Sequence, residues 1–167
     1  MIDWSKRNEE EANLFNPPFL SILCYESIKN YNEETKLNSP FILPFLIIPF
    51  ILHKKTRDRL PSTTRTQFTT WMVNETNSSL KIDYNSRANA FVPYVKEAII
   101  YSCNTNLIQF SREGNFEIRT KLSKDIYSNE IFTEDALECI KKASFCGKWF
   151  ARSGDINTIM LFLGVRP

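Results

Sequence analysis

Residues 40–52, PFILPFLIIPFIL, are thirteen apolar residues in unbroken succession, closed off by His53, Lys54 and Lys55. A membrane-spanning helix needs about 20 such residues, and this run also carries Pro40, Pro44 and Pro49. It reads as a helix, or a kinked pair of turns, buried on all sides in a soluble core. The other reading is a segment lying in a membrane interface. A chain of 167 residues, 43% apolar, with 13 Phe, 6 Tyr and 3 Trp, has the material for one core, and hence for a single domain spanning 1–167.

On the N-terminal side of the run, Trp4–Leu14 has helical composition and is stopped by Asn16 ahead of Pro17 and Pro18. Asn at a cap position and Pro in the first turn then open a second helix. Phe19, Leu20, Ile22, Leu23 and Ile28 mark its apolar face as far as Lys29, and Asn30–Ser39 reads as a loop. On the C-terminal side comes a basic turn, Lys54–Leu60, after which Ser62 or Thr63 is placed to cap a helix through Val73. Asn74–Ser79 is loop. A longer helix covers Ser86–Asn104, and Leu107–Phe110 with Asn115–Ile118 form a hairpin around Arg112, Glu113 and Gly114. Thr133 caps a helix with Ala136, Ile140, Ala143, Gly147 and Phe150 facing inward. Asp155 caps a last one over Ile156–Leu163, which Gly164 ends.

Three helices followed at once by a hairpin give the element order of a winged helix. The expected fold is therefore α+β, mostly α, with a winged-helix-like core at 40–119, N-terminal helices at 1–30 and C-terminal helices at 133–167. If the third helix read DNA, its outward face would need Arg, Lys or Asn able to reach base edges. Its only cations are Arg87 and Lys96, so packing is the expected role of that helix.

Composition narrows the chemistry. Four glycines are too few for a glycine-rich phosphate cradle. A formal charge of +2 makes bulk polyanion binding implausible, so any nucleic-acid contact must come from a local patch. Cys24, Cys103, Cys139 and Cys146 are scattered through helical segments, and Met1–Glu11 is too acidic for a signal peptide; both favour a reducing, cytoplasmic setting with inert buried thiols. His53 is the only histidine, with no Ser or Cys partner beside it, and no HExxH, GxSxG or paired-cysteine pattern occurs. The expectation is a chain with no catalytic residues, cofactor or metal.

Two groups of cations stand out. His53, Lys54, Lys55, Arg57, Arg59 and Arg65 form a basic stretch broken by Asp58. Such a stretch suits a solvated helix end, a protein interface or a grip on phosphates. Lys141, Lys148 and Arg152 share the outer face of the late helix beside Trp149, a pairing enriched at protein interfaces although a core Trp is commoner.

Four strings carry a family resemblance: WSKRNEEEANLFNP at 4–17, HKKTRDRLPSTTRT at 53–66, GKWFARSGD at 147–155 and GVRP at 164–167. They resemble the small middle component of bacterial three-component ABC systems, which include Lamassu-type defence against phage and plasmids. The resemblance implies a non-catalytic adaptor, winged-helix-like, bridging an SMC-like ABC ATPase and an effector, often a nuclease, with DNA met through the complex. With Lys148 from the cation group on the late helix, the candidate protein-interface residues are His53, Lys54, Arg57, Arg65, Lys148, Trp149, Arg152 and Arg166. Gly147 is expected to allow close helix approach, and Gly154 and Gly164 to take left-handed caps. A winged-helix nucleic-acid-binding regulator is the alternative.

Overall fold

The structure is a computed structural model that describes residues 15–128 and 130–165. The helix expected over Trp4–Leu14, and Arg166 with Pro167, lie outside the described residues. Within them the chain is mostly α-helical with one two-stranded antiparallel sheet, an α+β architecture.

Helix α1 spans Pro17–Thr35. It runs well past Lys29, into what the sequence suggests is loop. The polar residues of its last turns find partners: Asn30 donates to the Glu26 carbonyl at 2.8 Å and Asn32 to the Phe116 carbonyl at 3.0 Å. Only Lys36, at φ 61°, ends it with a left-handed turn. The long apolar run becomes α2, Leu43–Leu52, with every residue from Leu43 to Ile51 buried. Pro49 removes an N–H from the middle of this helix, and the Tyr84 hydroxyl supplies a donor close by, bonding the Leu46 carbonyl at 2.5 Å. No described helix is long and apolar enough to cross a membrane.

A single turn, α3 (Lys54–Arg57), precedes an irregular segment, and α4 begins only at Phe68 and ends at Val73. The cap expected at Ser62 or Thr63 does not form, because α7 claims the groups a helix would use. Trp149 Nε1 donates to the Thr66 carbonyl at 2.6 Å, Arg152 Nη1 to Thr64 Oγ1 at 2.8 Å, and the Phe68 amide donates to Ser153 Oγ at 3.2 Å. The loop expected over Asn74–Ser79 holds a turn of helix, α5 (Glu75–Ser78), capped by Asn74, and a 3-10 turn at Ser79–Lys81.

Helix α6, Tyr84–Asn104, leads into β1 (Ile108–Phe110) and β2 (Phe116–Ile118), paired with Ile108 opposite Ile118 and Phe110 opposite Phe116. On the far side of β2 the Phe116 amide donates to the Ser39 carbonyl at 2.8 Å, tying the α1–α2 connection to the hairpin. Helix α7, Glu134–Arg152, is capped by Thr133, and α8, Ile156–Leu163, is capped by Asp155 and ended by Gly164 at φ 70°. Each of those three terminal residues does what the sequence suggests.

Helices α1 and α7 pack together more extensively than any other pair, with α2 and α6 completing one hydrophobic cluster. The N- and C-terminal helices thus form the centre of the core. Gly147 makes the contact possible: a Cβ there would stand 2.3 Å from the Ser27 carbonyl oxygen. Glu26 sits buried at the same seam and accepts from Lys29, Asn30, Tyr127 and Ser144. Burial would raise its pKa, but the bonds from Ser144, Tyr127 and Lys29 outweigh it and hold the carboxyl below its ordinary range.

Candidate interaction surface

The residues picked out in the sequence divide by depth. Lys54, Arg65 and Lys148 are exposed, and Lys54 pairs with Asp58 at 3.3 Å. His53 is half-buried, with Nδ1 2.7 Å from Thr56 Oγ1; burial, then the charges of Arg87 and Lys55, lower its pKa and keep the ring neutral. Arg152 forks onto Glu34, Nε to Oε1 at 2.8 Å and Nη2 to Oε2 at 3.1 Å, a bidentate pair of the kind only Arg can make.

Two of the expected interface residues are instead interior. Arg57 is 2% exposed. Its Nη1 donates to the Ile51 carbonyl at 3.0 Å and to Cys139 Sγ at 3.1 Å, and its Nη2 is paired with the Asp135 carboxylate. A guanidinium this buried survives because its Nη donors are met inside the fold and its charge faces the Asp135 and Glu138 carboxylates. Trp149 is completely buried, packed edge-on to Trp71 with ring centroids 5.3 Å apart and against Phe68 at 5.2 Å. Conserving area by stacking aromatics in a core is what a Trp ordinarily does. The 53–66 and 147–155 strings therefore meet through Thr64, Thr66, Trp149 and Arg152, and much of that meeting is internal packing.

The thiols are free; Cys24, Cys139 and Cys146 are buried and Cys103 partly so. Burial pushes Cys24 up to about 12 and Cys139 to about 11, so both stay protonated and unreactive at neutral pH.

What the sequence reading missed is an exposed aromatic ridge between α6 and the hairpin. Phe41 and Phe110 are each 46% exposed, yet both pack on Phe116, at 5.7 and 4.9 Å between centroids. Beside them Ile100 is 49% exposed. Two shallow apolar recesses flank the ridge. One, of about 390 Å³, lies between Phe41, Phe110, Ile100 and Cys103, and the other, of about 250 Å³, lies between Phe41, Phe45, Val92 and Val165. Lys96 lines both and is the one cation on the exposed face of α6; Arg87 is folded back, its guanidinium 5.8 Å from the Tyr84 ring centre. Large apolar side chains grouped in the open, with few charges among them, mark contact surfaces for other proteins. In the sequence, nothing separates these residues from core residues: Phe41 stands in the apolar run, and Ile100 sits beside buried Ile99.

Core and surface together describe a small α+β chain, mostly helical, with an exposed apolar ridge at Phe41, Ile100 and Phe110. The chain belongs to the family described as ABC-three component (ABC-3C) system Middle Component 3, whose model matches residues 4–167. It is thus a component of a multi-part ABC system. No curated protein and no solved structure matches the chain.

Proposed function

We propose that this chain is a non-catalytic, cytoplasmic adaptor that holds an SMC-like ABC ATPase and an effector, typically a nuclease, in one bacterial complex directed against phage or plasmid DNA. Family membership as a middle component supports the part about assembly. The observation that carries the reading is the ridge of Phe41, Ile100 and Phe110, apolar surface that a solitary protein would be expected to bury. The exposed cations Lys54, Arg65 and Lys148 serve in this reading as polar contacts elsewhere on the surface, steering acidic partner surfaces and adding little to affinity. Arg166 belongs with them on the strength of the resemblance alone.

The test is co-expression with the neighbouring genes, purification through a tag on this chain, and mass determination by light scattering. A defined complex containing an ABC ATPase is the expected result, and a monodisperse lone protein that leaves its neighbours behind overturns the reading. Substitution of Arg57 is uninformative because that residue is interior; Arg65→Glu with Lys148→Glu is the appropriate surface variant.

A winged-helix nucleic-acid-binding regulator is the second reading. The hairpin directly after α6 and the Ser39–Phe116 bridge that adds to it support this reading, although the second helix of the expected order, 63–73, forms only over Phe68–Val73. Against it, α6 presents one exposed cation where a reading helix needs several. DNA affinity of the isolated chain that falls steeply with salt would favour this reading over the first.

A further inference from the structure

The two recesses that flank Phe41 share it and Lys96 as lining residues, one continuing to Ala88 and the other to Asn104. Ala88, Val92, Lys96, Ile100 and Asn104 recur at every fourth residue, so a single side of α6 runs the length of both, about 24 Å at the helical rise. The recesses are two ends of one groove, with Phe41 and Lys96 at its middle.

The sheet edge beside the groove is nearly closed to a strand. The Ser111 amide donates to the Asn115 carbonyl at 2.7 Å and the Arg119 amide to the Leu107 carbonyl at 2.9 Å. The odd-numbered residues of β1 therefore face β2, and Ile108 and Phe110 turn their backbone groups to the outer edge. Ile108 is 1% exposed, which leaves Phe110 as the one accessible pairing position in β1. An extended segment laid there would have most of its N–H and C=O groups unmet. A helix bonds its own backbone and needs only side-chain contacts.

Charge fixes the rest of the occupant's character. Lys96 is exposed and has no ion pair among the described residues, while its neighbour Glu97 is buried. Anything that fills both recesses passes over the Lys96 ammonium, and covering a charge is costly unless an opposite one meets it. We propose, resting on the adaptor reading, that the groove receives an amphipathic helix of a partner component whose apolar stripe carries one Asp or Glu opposite Lys96. Val92 and Ile100, which line one recess each, are separated by about 12 Å along α6. The partner helix then places large apolar side chains about two turns apart, with the acid about one turn from each.

The test uses the complex assembled with the co-expressed neighbouring components, treated with a carbodiimide, which joins an amine to a carboxylate only where the two touch. Peptide mass spectrometry then identifies what Lys96 reaches. The expected product links Lys96 to an Asp or Glu of another component, in a segment with apolar residues three or four positions to either side. Lys96→Glu should weaken capture of that component at least about tenfold, and changing the linked acid to Lys should restore capture to within about threefold. Lys96 is exposed, so its substitution leaves the core intact. An intact complex with no Lys96 link, a link into carboxylates of this same chain, a linked acid without flanking apolar residues, or capture indifferent to Lys96→Glu overturns the inference. Capture that falls in the Ile100→Ser, Phe110→Ser pair but not in Lys96→Glu overturns it and leaves the adaptor reading standing. Failure to obtain any complex removes both.

Discussion

Gly147 of α7 lies against the Ser27 carbonyl of α1, with space for a hydrogen on the glycine and none for a methyl. The obstructing atom is a backbone carbonyl oxygen, which cannot rotate aside as a side chain does. Gly147→Ala gains up to about 1 kcal/mol of helix propensity but overpacks the seam by about 3 kcal/mol. A net loss of stability of about 2 kcal/mol is therefore expected, read as a lower urea midpoint with the slope unchanged.

Glu26 should govern acid sensitivity. Its carboxylate accepts from four donors at the α1–α7 seam and titrates below the ordinary value of 4.5. A carboxyl with a lowered folded pKa contributes stability that is complete above its unfolded pKa and is lost as pH falls through the folded one. Glu26→Gln is expected to cost about 2 kcal/mol at neutral pH. The gap between wild type and variant should narrow as pH drops below 4.5, as measured by thermal unfolding across a pH series.

Arg57, Asp135 and Glu138 form a buried cation with two partly exposed carboxylates. Removing either acid alone leaves the other to close on the guanidinium, so Asp135→Ala and Glu138→Ala should each cost about 1 kcal/mol. Removing both strands a buried charge, and the double variant should lose about 3–4 kcal/mol, more than the two singles added. A double-mutant cycle by chemical denaturation measures that excess.

The aromatic ridge should separate stability from assembly. Ile100→Ser and Phe110→Ser each remove a half-exposed side chain, and the expected change in stability of the isolated chain is within about 1 kcal/mol. If the ridge is the contact surface, the pair should weaken capture of the partner components at least about tenfold, as a central apolar anchor does. Quantitative pull-down from co-expressing cells, with the unfolding curve of the same variant, reads both.

Much of the secondary structure is legible from local chemistry. The thirteen-residue apolar run reads as a buried segment because it is too short to span a membrane, and it is buried from Leu43 to Ile51, although Phe41 ahead of the helix is not. Thr133, Asp155 and Gly164 act within a turn of their own position, so their roles as caps needed no tertiary information. The hairpin follows in the same way from two short β-forming runs around Gly114.

Residues whose roles depend on distant neighbours were not legible. Asn30 and Asn32 read as loop, but the hairpin and Glu26 supply partners that extend α1 by more than a turn. Ser62–Gln67 read as a helix start, but α7 takes the bonding groups. Arg57 and Trp149 read as surface because charge and amphipathic aromatics favour it on average; 78 and 83 residues along the chain from them lie the Asp135 carboxylate and the Thr66 carbonyl that make burial affordable. The ridge of Phe41, Ile100 and Phe110 is the converse, apolar residues left outside. Local chemistry set the helix boundaries at Thr133, Asp155 and Gly164, because capping acts over one or two turns. Which apolar side chains face inward, and which charges are sheltered, was settled by folding, because burial is a property of the whole packed chain.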